Sequence, residues 1–310
     1  MDKIICVVGP TASGKTALAI ELAKEFDGEV VSCDSMYVYR GMNIGTAKPT
    51  EEEMQGIIHH MIDICDPRED FSVSRYTDMA TPIVEDILAR GKTAIIAGGT
   101  GLYADSLIKG NAFSDIPATG HRQRLEAQVE AEGVEPLLAQ LRAVDPEAAE
   151  RSQGNPRRII RAWEVYLESG ETITAHNLRT QAIAPKFDPV WIGLDFTQRK
   201  DLYDRINRRV EIMLEMGLLE EISQLLASGI PEKCTAMQAI GYKEFVDAMA
   251  GRCPMEQAIA QVQQSSRRYG KRQLTWFRRN EKMNWIIREP DTKAEEIMES
   301  ARQILRNFDK

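Results

Sequence analysis

The sequence predicts an α/β fold, a parallel β-sheet core flanked by helices, and two observations carry the prediction. Short, continuous apolar runs alternate with helical patterns through the first third of the 310 residues, as strands buried on both faces do. The first such run, Ile4–Val8, passes into Gly9-Pro10-Thr11-Ala12-Ser13-Gly14-Lys15-Thr16 and then into an apolar helical pattern over Ala17–Ala23. That is G-x-x-x-x-G-K-T in strand–loop–helix context. Such a loop wraps backbone N–H groups around phosphate oxygens at a helix N-terminus. Lys15 is expected to reach the terminal phosphates and the Thr16 hydroxyl to face a Mg2+ ion. The predicted core is therefore P-loop NTPase-like. The motif says that the chain binds a di- or triphosphate, and leaves open which one and what becomes of it.

The remaining elements follow in order. Glu29–Asp34 reads as a second strand ending in an acid, Asp78–Arg90 as a helix stopped by Gly91, and Thr93–Ala97 as a buried strand closed by Gly98-Gly99-Thr100-Gly101. Val190–Asp195 is the fourth strand. Ligands of such sheets sit outside the C-terminal strand ends, where the phosphate loop, Asp34 and Thr100 all fall. From about Pro117 to Pro185 the pattern turns helical and strongly charged, with Asn155-Pro156 as a helix start. This stretch is expected to be an inserted all-helical subdomain. From Gln198 onward long helices are expected. The predicted layout is a catalytic core over 1–116 and 186–288, a helical insertion over 117–185, and a C-terminal helix over 289–310.

Composition narrows the class. No apolar stretch approaches the ~20 residues of a membrane span. The N-terminal residues enter a strand without a signal-peptide pattern. The five cysteines are scattered, with no C-x-x-C pair, which points away from a zinc site or disulfide framework and toward a reduced, cytoplasmic protein. The formal net charge of −8 speaks against nucleic acid if taken alone. The charge is uneven, however. Arg267–Asn280 holds six basic residues, three aromatics and no acid, a local patch able to meet a polyanion.

Several residues are candidates for chemistry. Asp34, at a strand end facing the phosphate loop, suits a Mg2+ ligand or a general base; the plain alternative is a turn cap. Thr100 lies in a glycine turn that lets a ligand approach the backbone; the alternative is an ordinary strand-to-helix turn. Arg205 and Arg209 are four apart and share a helical face that could clamp pyrophosphate, or merely carry solvated ion pairs. Arg157, Arg158 and Arg161 open a second basic stretch. The aromatics of Arg267–Asn280 suit stacking of unpaired bases, or burial in an amphipathic helix. His59-His60 lack metal-ligand spacing and read as structural. On these residues alone, a P-loop kinase of a small metabolite, a prenyltransferase acting on free adenylates and a non-enzymatic RNA-binding protein all stay open.

Taken together, the motifs resemble those of the tRNA dimethylallyltransferases, the isopentenyl-diphosphate:tRNA transferases. The segments that carry the likeness are Gly9–Thr16, Asp34-Ser35 with Tyr39, Gly41–Pro49, His59–Asp63, Phe71–Val73, Gly98–Tyr103, Asn155–Ala162, Gln238–Lys243 and Lys271–Arg278. They run in order through nearly the whole chain. Two positions depart from the family pattern: Ile58 stands where proline is common, and Asp105 is unexpectedly polar. The zinc-finger extension of some eukaryotic members is not expected.

The resemblance implies a reaction and a site. The exocyclic amine of the adenine 3′ of the anticodon, position 37 of tRNA, attacks the first carbon of dimethylallyl diphosphate, and diphosphate leaves. Asp34 matches the general base and Thr100 a substrate-contacting residue. Lys15, Arg205, Mg2+ and the backbone of residues 11–16 would neutralise the leaving group. The implied tRNA-binding residues are Asp34, Ser35, Met36 and Tyr37, with Thr100 and Arg122. To these it adds Arg157, Arg158, Ile159, Ile160 and Arg161, and then Gln238, Ala239, Ile240, Gly241, Tyr242 and Lys243. The last run is Lys271, Arg272, Gln273, Leu274, Thr275, Trp276, Phe277 and Arg278. The expected partners are tRNA and dimethylallyl diphosphate, with no membrane and a monomeric state.

Overall fold

The structure, a computed structural model, describes residues 4–110, 120–181 and 184–308. They fall into two compact units: 4–110 with 187–308, and 120–181 with 184–186. The first unit begins with β1 (Ile4–Val8), α1 (Lys15–Glu25), β2 (Gly28–Ser32), α2 (Glu51–Met54), β3 (His59–His60), α3 (Val73–Ala89), β4 (Thr93–Gly98) and α4 (Gly101–Lys109). The second unit holds α5 (His121–Glu132), α6 (Glu135–Val144), α7 (Pro146–Ser152), α8 (Pro156–Ser169) and α9 (Ile173–Gln181). The first unit resumes with β5 (Val190–Phe196), α10 (Arg199–Glu215), α11 (Leu218–Ala227), a 3-10 turn over Ala236–Gln238, α12 (Tyr242–Met249), α13 (Met255–Phe277), β6 (Met283–Arg288) and α14 (Ala294–Phe308). The expected boundary at 116/117 lies outside the described residues.

The first unit is built on one six-stranded sheet of order β3-β2-β4-β1-β5-β6, every pairing parallel. β1 is central, with Cys6 opposite Ile96 of β4 and Trp191 of β5. Alternate side chains of β1 feed two cores, as the strand period requires. Ile5 and Val7 pack with Leu18 and Leu22 of α1 and with Ile297, Ala301 and Leu305 of α14. Cys6 and Val8 pack on the other face with Tyr76, Val84, Tyr103 and Leu107 of α3 and α4. The four strands expected from sequence are present.

Two further strands were not expected. β3 is only two residues long, too short to show a period. β6 begins six residues after α13 in a segment read as helical, and its Asn284 interrupts the apolar run; the Asn284 amide donates to Trp191 O at 3.0 Å. Both histidines, read from sequence as structural, make contacts within the fold. His60 Nε2 lies 2.8 Å from the buried Glu29 carboxylate and His59 Nδ1 lies 2.9 Å from Ile57 O. Ile58, where the resemblance anticipates proline, uses its carbonyl to accept from Val30 N–H.

The second unit has its own apolar core of Leu125, Leu137, Leu141, Ile159, Ile160 and Trp163. Asn155 caps α8 by accepting from Arg157 N–H at 3.0 Å, satisfying a donor left over at the helix start. Asp145 caps α7 through Ala148 N–H and also accepts from the Thr174 hydroxyl at 2.7 Å, which ties α9 to α7.

Candidate active site

The phosphate loop joins β1 to α1, and Gly14 sits in it at φ 93°. A Cβ there would lie 2.9 Å from the mobile tip of the Arg288 side chain, so it is the left-handed backbone that favours glycine here. Residues from distant parts of the chain hold the loop's backbone. Arg205 Nε donates to Ala12 O at 3.0 Å and Arg288 Nη1 to Ser13 O at 3.3 Å. Both guanidinium groups lie over the Phe196 ring, at 5.7 and 5.1 Å from its centroid. Arg209 Nη1 donates to the Thr11 hydroxyl at 3.2 Å. The shared face of Arg205 and Arg209 is thus turned to the loop, while Arg208 pairs outward with Glu211. In this state Arg205 grips a loop carbonyl rather than standing free as a clamp.

Lys15 is buried and its ammonium donates to Pro10 O at 3.3 Å. Burial lowers its pKa to about 8, against the opposing pull of the Asp34 carboxylate. Asp34 follows β2. Burial raises its pKa above the usual carboxylate range, partly offset by the Met36 and Tyr37 backbone N–H groups and by Lys15 and Arg209. The Met36 N–H to Asp34 Oδ1 distance is 3.0 Å.

Thr100 stands between β4 and α4 without capping the helix through its side chain. Its hydroxyl accepts from Ser35 N–H at 3.0 Å, so the loop after β2 and the loop after β4 are joined beside Asp34. Tyr269 of α13 lies in the same electrostatic neighbourhood, where burial and the Asp34 carboxylate push its phenol up to about 12. Tyr37 donates to Ala47 O at 2.7 Å. A carboxylate with a raised pKa, a lysine with a lowered one and a phosphate loop within one electrostatic neighbourhood suit proton transfer beside a leaving diphosphate.

The structure sorts the other expected binding residues. On α13 Lys271, Arg272 and Thr275 are exposed, as is Arg278 just past its end, though Arg278 also pairs with the buried Asp195 at 2.9 Å. Gln273, Leu274 and Phe277 are buried. Trp276 is half-buried, and its indole N–H donates to Asp105 Oδ2 at 2.8 Å. That bond explains why an acid follows Gly101-Leu102-Tyr103. Gln238 and Lys243 are exposed, Ala239 and Ile240 half-buried, and Gly241 buried.

Tyr242 is fully buried and donates to Glu221 at 2.6 Å. Its side chain therefore faces the core and not an RNA. In the helical unit Arg122, Arg157, Arg158 and Arg161 are exposed, while Ile159 and Ile160 are core residues. The helical period decides these cases. A contiguous basic segment puts every third or fourth residue inside, and Ile159, Ile160, Leu274 and Phe277 are those residues.

Three contributors escaped the sequence reading. Arg288 ends β6 and was hidden with that strand. Tyr269 lay within the basic stretch but was not singled out. The Glu221 carboxylate accepts from the backbone N–H groups of Asn43, Ile44 and Gly45 and so holds the Gly41–Pro49 run. An acid in a charged helix carries no sequence sign of that role.

Fold and site define a P-loop NTPase-like α/β protein whose loop is shaped for a phosphate chain and faces a carboxylate. The sequence matches the family described as IPP transferase over residues 37–280, and the chain belongs to that family of prenyl-transferring enzymes. It is 46% identical over 309 residues to a tRNA dimethylallyltransferase of Oceanobacillus iheyensis, covering 98% of each chain. It is 42% identical over 310 residues to one of Acetivibrio thermocellus, covering 99% of each. Among solved structures, it is similar to the full-length tRNA isopentenylpyrophosphate transferase of Bacillus halodurans, with TM-score 0.73, 42% identity and full coverage of both chains. A eukaryotic dimethylallyltransferase captured acting on tRNA matches with TM-score 0.83 and 29% identity, over all of this chain and 79% of that one.

Proposed function

We propose that this chain transfers a dimethylallyl group from dimethylallyl diphosphate to N6 of the adenosine at position 37 of tRNA, releasing diphosphate. The observation that carries the reading is a phosphate loop whose buried Lys15 shares one electrostatic neighbourhood with the Asp34 carboxylate, in a chain of this family. An adenine amine is a weak nucleophile because its lone pair is delocalised into the ring. Asp34 positions it and takes its proton as the N–C bond forms. Lys15, with backbone N–H groups of the loop other than those of Thr11 and Ser13, which are already bonded, stabilises the charge that grows on the diphosphate as the C–O bond breaks. Thr100 contacts the substrate beside Asp34.

Among the described residues no cluster of three or more His, Cys, Asp or Glu side chains is placed to hold a metal. The Thr16 hydroxyl that follows Lys15 in the loop motif is a hard oxygen donor, which suits Mg2+, an ion that takes few protein ligands and keeps its waters. Thr16 is the residue that would hold it, together with diphosphate oxygens. When bound, Mg2+ neutralises charge on the leaving group.

The adenine is stacked in the anticodon loop and must be flipped out to react. Lys271, Arg272, Thr275 and Arg278, with Gln238 and Lys243, form the exposed grip on the RNA. The helical unit, read as an insertion domain over 117–185, adds Arg122, Arg157, Arg158 and Arg161. Its separate core supports that reading. Among the described residues no helix is long and apolar enough to cross a membrane, in keeping with a cytoplasmic enzyme, and we take it to act as a monomer.

The kinase reading leaves the exposed stripe of α13 without work, and family membership weighs against it. The test is transfer of label from radiolabelled dimethylallyl diphosphate, with Mg2+, to unmodified tRNA and to AMP in parallel. Label on tRNA alone, at the anticodon-loop adenine, is expected. Label on AMP, or on neither, would overturn the reading.

A further inference from the structure

We propose that Gln273 is a positioning residue that sets the shape of the diphosphate loop from the RNA-facing helix. This rests on the reading above for the identity of the donor. Gln273 is only 5% exposed, in the middle of a run otherwise suited to RNA. Its Oε1 accepts from Thr11 N–H at 2.9 Å and its Nε2 donates to Gly99 O at 2.9 Å. One orientation of the amide satisfies both bonds, and a flip breaks both. The side chain therefore spans two loops, one holding the diphosphate and one carrying Thr100.

The fit is close. A Cβ on Gly99 would lie 2.2 Å from Gln273 Nε2, and one on Gly101 would lie 2.1 Å from the Trp276 ring. Both glycines leave room for α13 to press directly on the turn that bears Thr100. Tyr269, Gln273 and Trp276, at helical spacings of four and three, make up the pressing face.

One consequence concerns the phosphate cradle. The Thr11 N–H was expected to face the diphosphate. It is occupied by Gln273 instead, and its carbonyl-side neighbours Ala12 and Ser13 are held by Arg205 and Arg288. Gln273 thus trades a phosphate donor for a fixed loop, and preorganised donors stabilise developing charge best. The residue acts on the donor site through Thr11 and touches no substrate.

The experiment uses the full chain with Gln273→Met, which keeps length and bulk but makes neither bond. Gln273→Asn, which cannot span both loops, serves should the first fail to fold. KM is measured for dimethylallyl diphosphate and for tRNA. In parallel, the rise in melting temperature on adding inorganic pyrophosphate with Mg2+ is compared between variant and unaltered protein. The expected result is a donor KM raised by about tenfold, the scale of a lost pair of buried hydrogen bonds, with a smaller pyrophosphate shift and an unchanged KM for tRNA. A donor KM and pyrophosphate shift left as they were would overturn the proposal. So would an equal loss of affinity for both substrates, since that is the mark of a helix anchor alone. Failure of the unaltered protein to prenylate tRNA sinks the functional reading, yet the pyrophosphate shift still reads whether Gln273 shapes the loop.

Discussion

The phosphate loop and helix α13 are both runs of chemistry-bearing residues, yet they yield to different rules. In Gly9–Thr16 the work is done by backbone groups of one contiguous motif, so each position can be read in turn. In α13 the work is divided by the helical period. Lys271, Arg272, Thr275 and Arg278 face solvent, while Gln273, Leu274 and Phe277 face inward. A loop motif is read along the chain, whereas a helical motif must be read by face. The two regions also meet, because the backbone of the loop is held by side chains from α10, α13 and β6.

The largest effect is expected at the site of proton transfer. Asp34→Asn should leave tRNA binding nearly intact and lower the single-turnover rate by ~10^2–10^4, the usual scale for a general base. The pH dependence sharpens this. The Asp34 carboxyl titrates above the usual carboxylate range, and only its ionised form accepts a proton. Activity should therefore fall as pH drops through that raised value, and the acid limb should vanish in the variant. A normal single-turnover rate with weakened tRNA binding would remove Asp34 from the chemistry.

Lys15 governs the alkaline side. Its pKa is lowered to about 8, so it is charged below that pH and neutral above it. The free enzyme's kcat/KM for the donor reports this group. It should decline as pH rises through about 8, approaching tenfold per unit when a single proton controls binding. The kcat at saturating donor should hold, because bound diphosphate keeps the lysine protonated. A kcat/KM profile flat across this region would mean that Lys15 does not meet the donor as a cation.

How much of this was legible follows from where the information lies. Strands β1, β2, β4 and β5 were readable as buried apolar runs, and the start of α8 from Asn155-Pro156. That Asp34, Lys15 and Thr100 converge was readable because topology alone brings the C-terminal ends of β1, β2 and β4 together. What could not be read depends on pairings between distant residues. Thr11 and Gln273 are 262 positions apart, Ser13 and Arg288 are 275 apart, and Ile44 and Glu221 are 177 apart. Single positions in one sequence carry no record of such partners. β3 escaped because two residues cannot show a period, and β6 because its polar interruption sits at a sheet edge where only one neighbour tests it. Asp105 is the intermediate case: its polarity stood out, but its reason, the Trp276 indole, became visible only in three dimensions.

The smallest effect falls on the residue next to Gln273 and separates the two faces of α13 most directly. Arg272 is exposed, with its guanidinium 5.6 Å from the centroid of the Tyr269 ring. Resting on the ring orders the side chain without burying its charge. If it meets one phosphate of the anticodon stem-loop, Arg272→Ala should weaken tRNA binding several-fold and reduce the slope of log affinity against log salt by about one. The donor KM should not move. Neighbouring substitutions then give opposite signatures: Arg272 shifts tRNA affinity with its salt dependence, and Gln273 shifts donor affinity without either. An unchanged salt slope would show that Arg272 does not contact phosphate. A donor KM that rose with Arg272→Ala would show that the outer face also shapes the loop, and the division of α13 by face would fail.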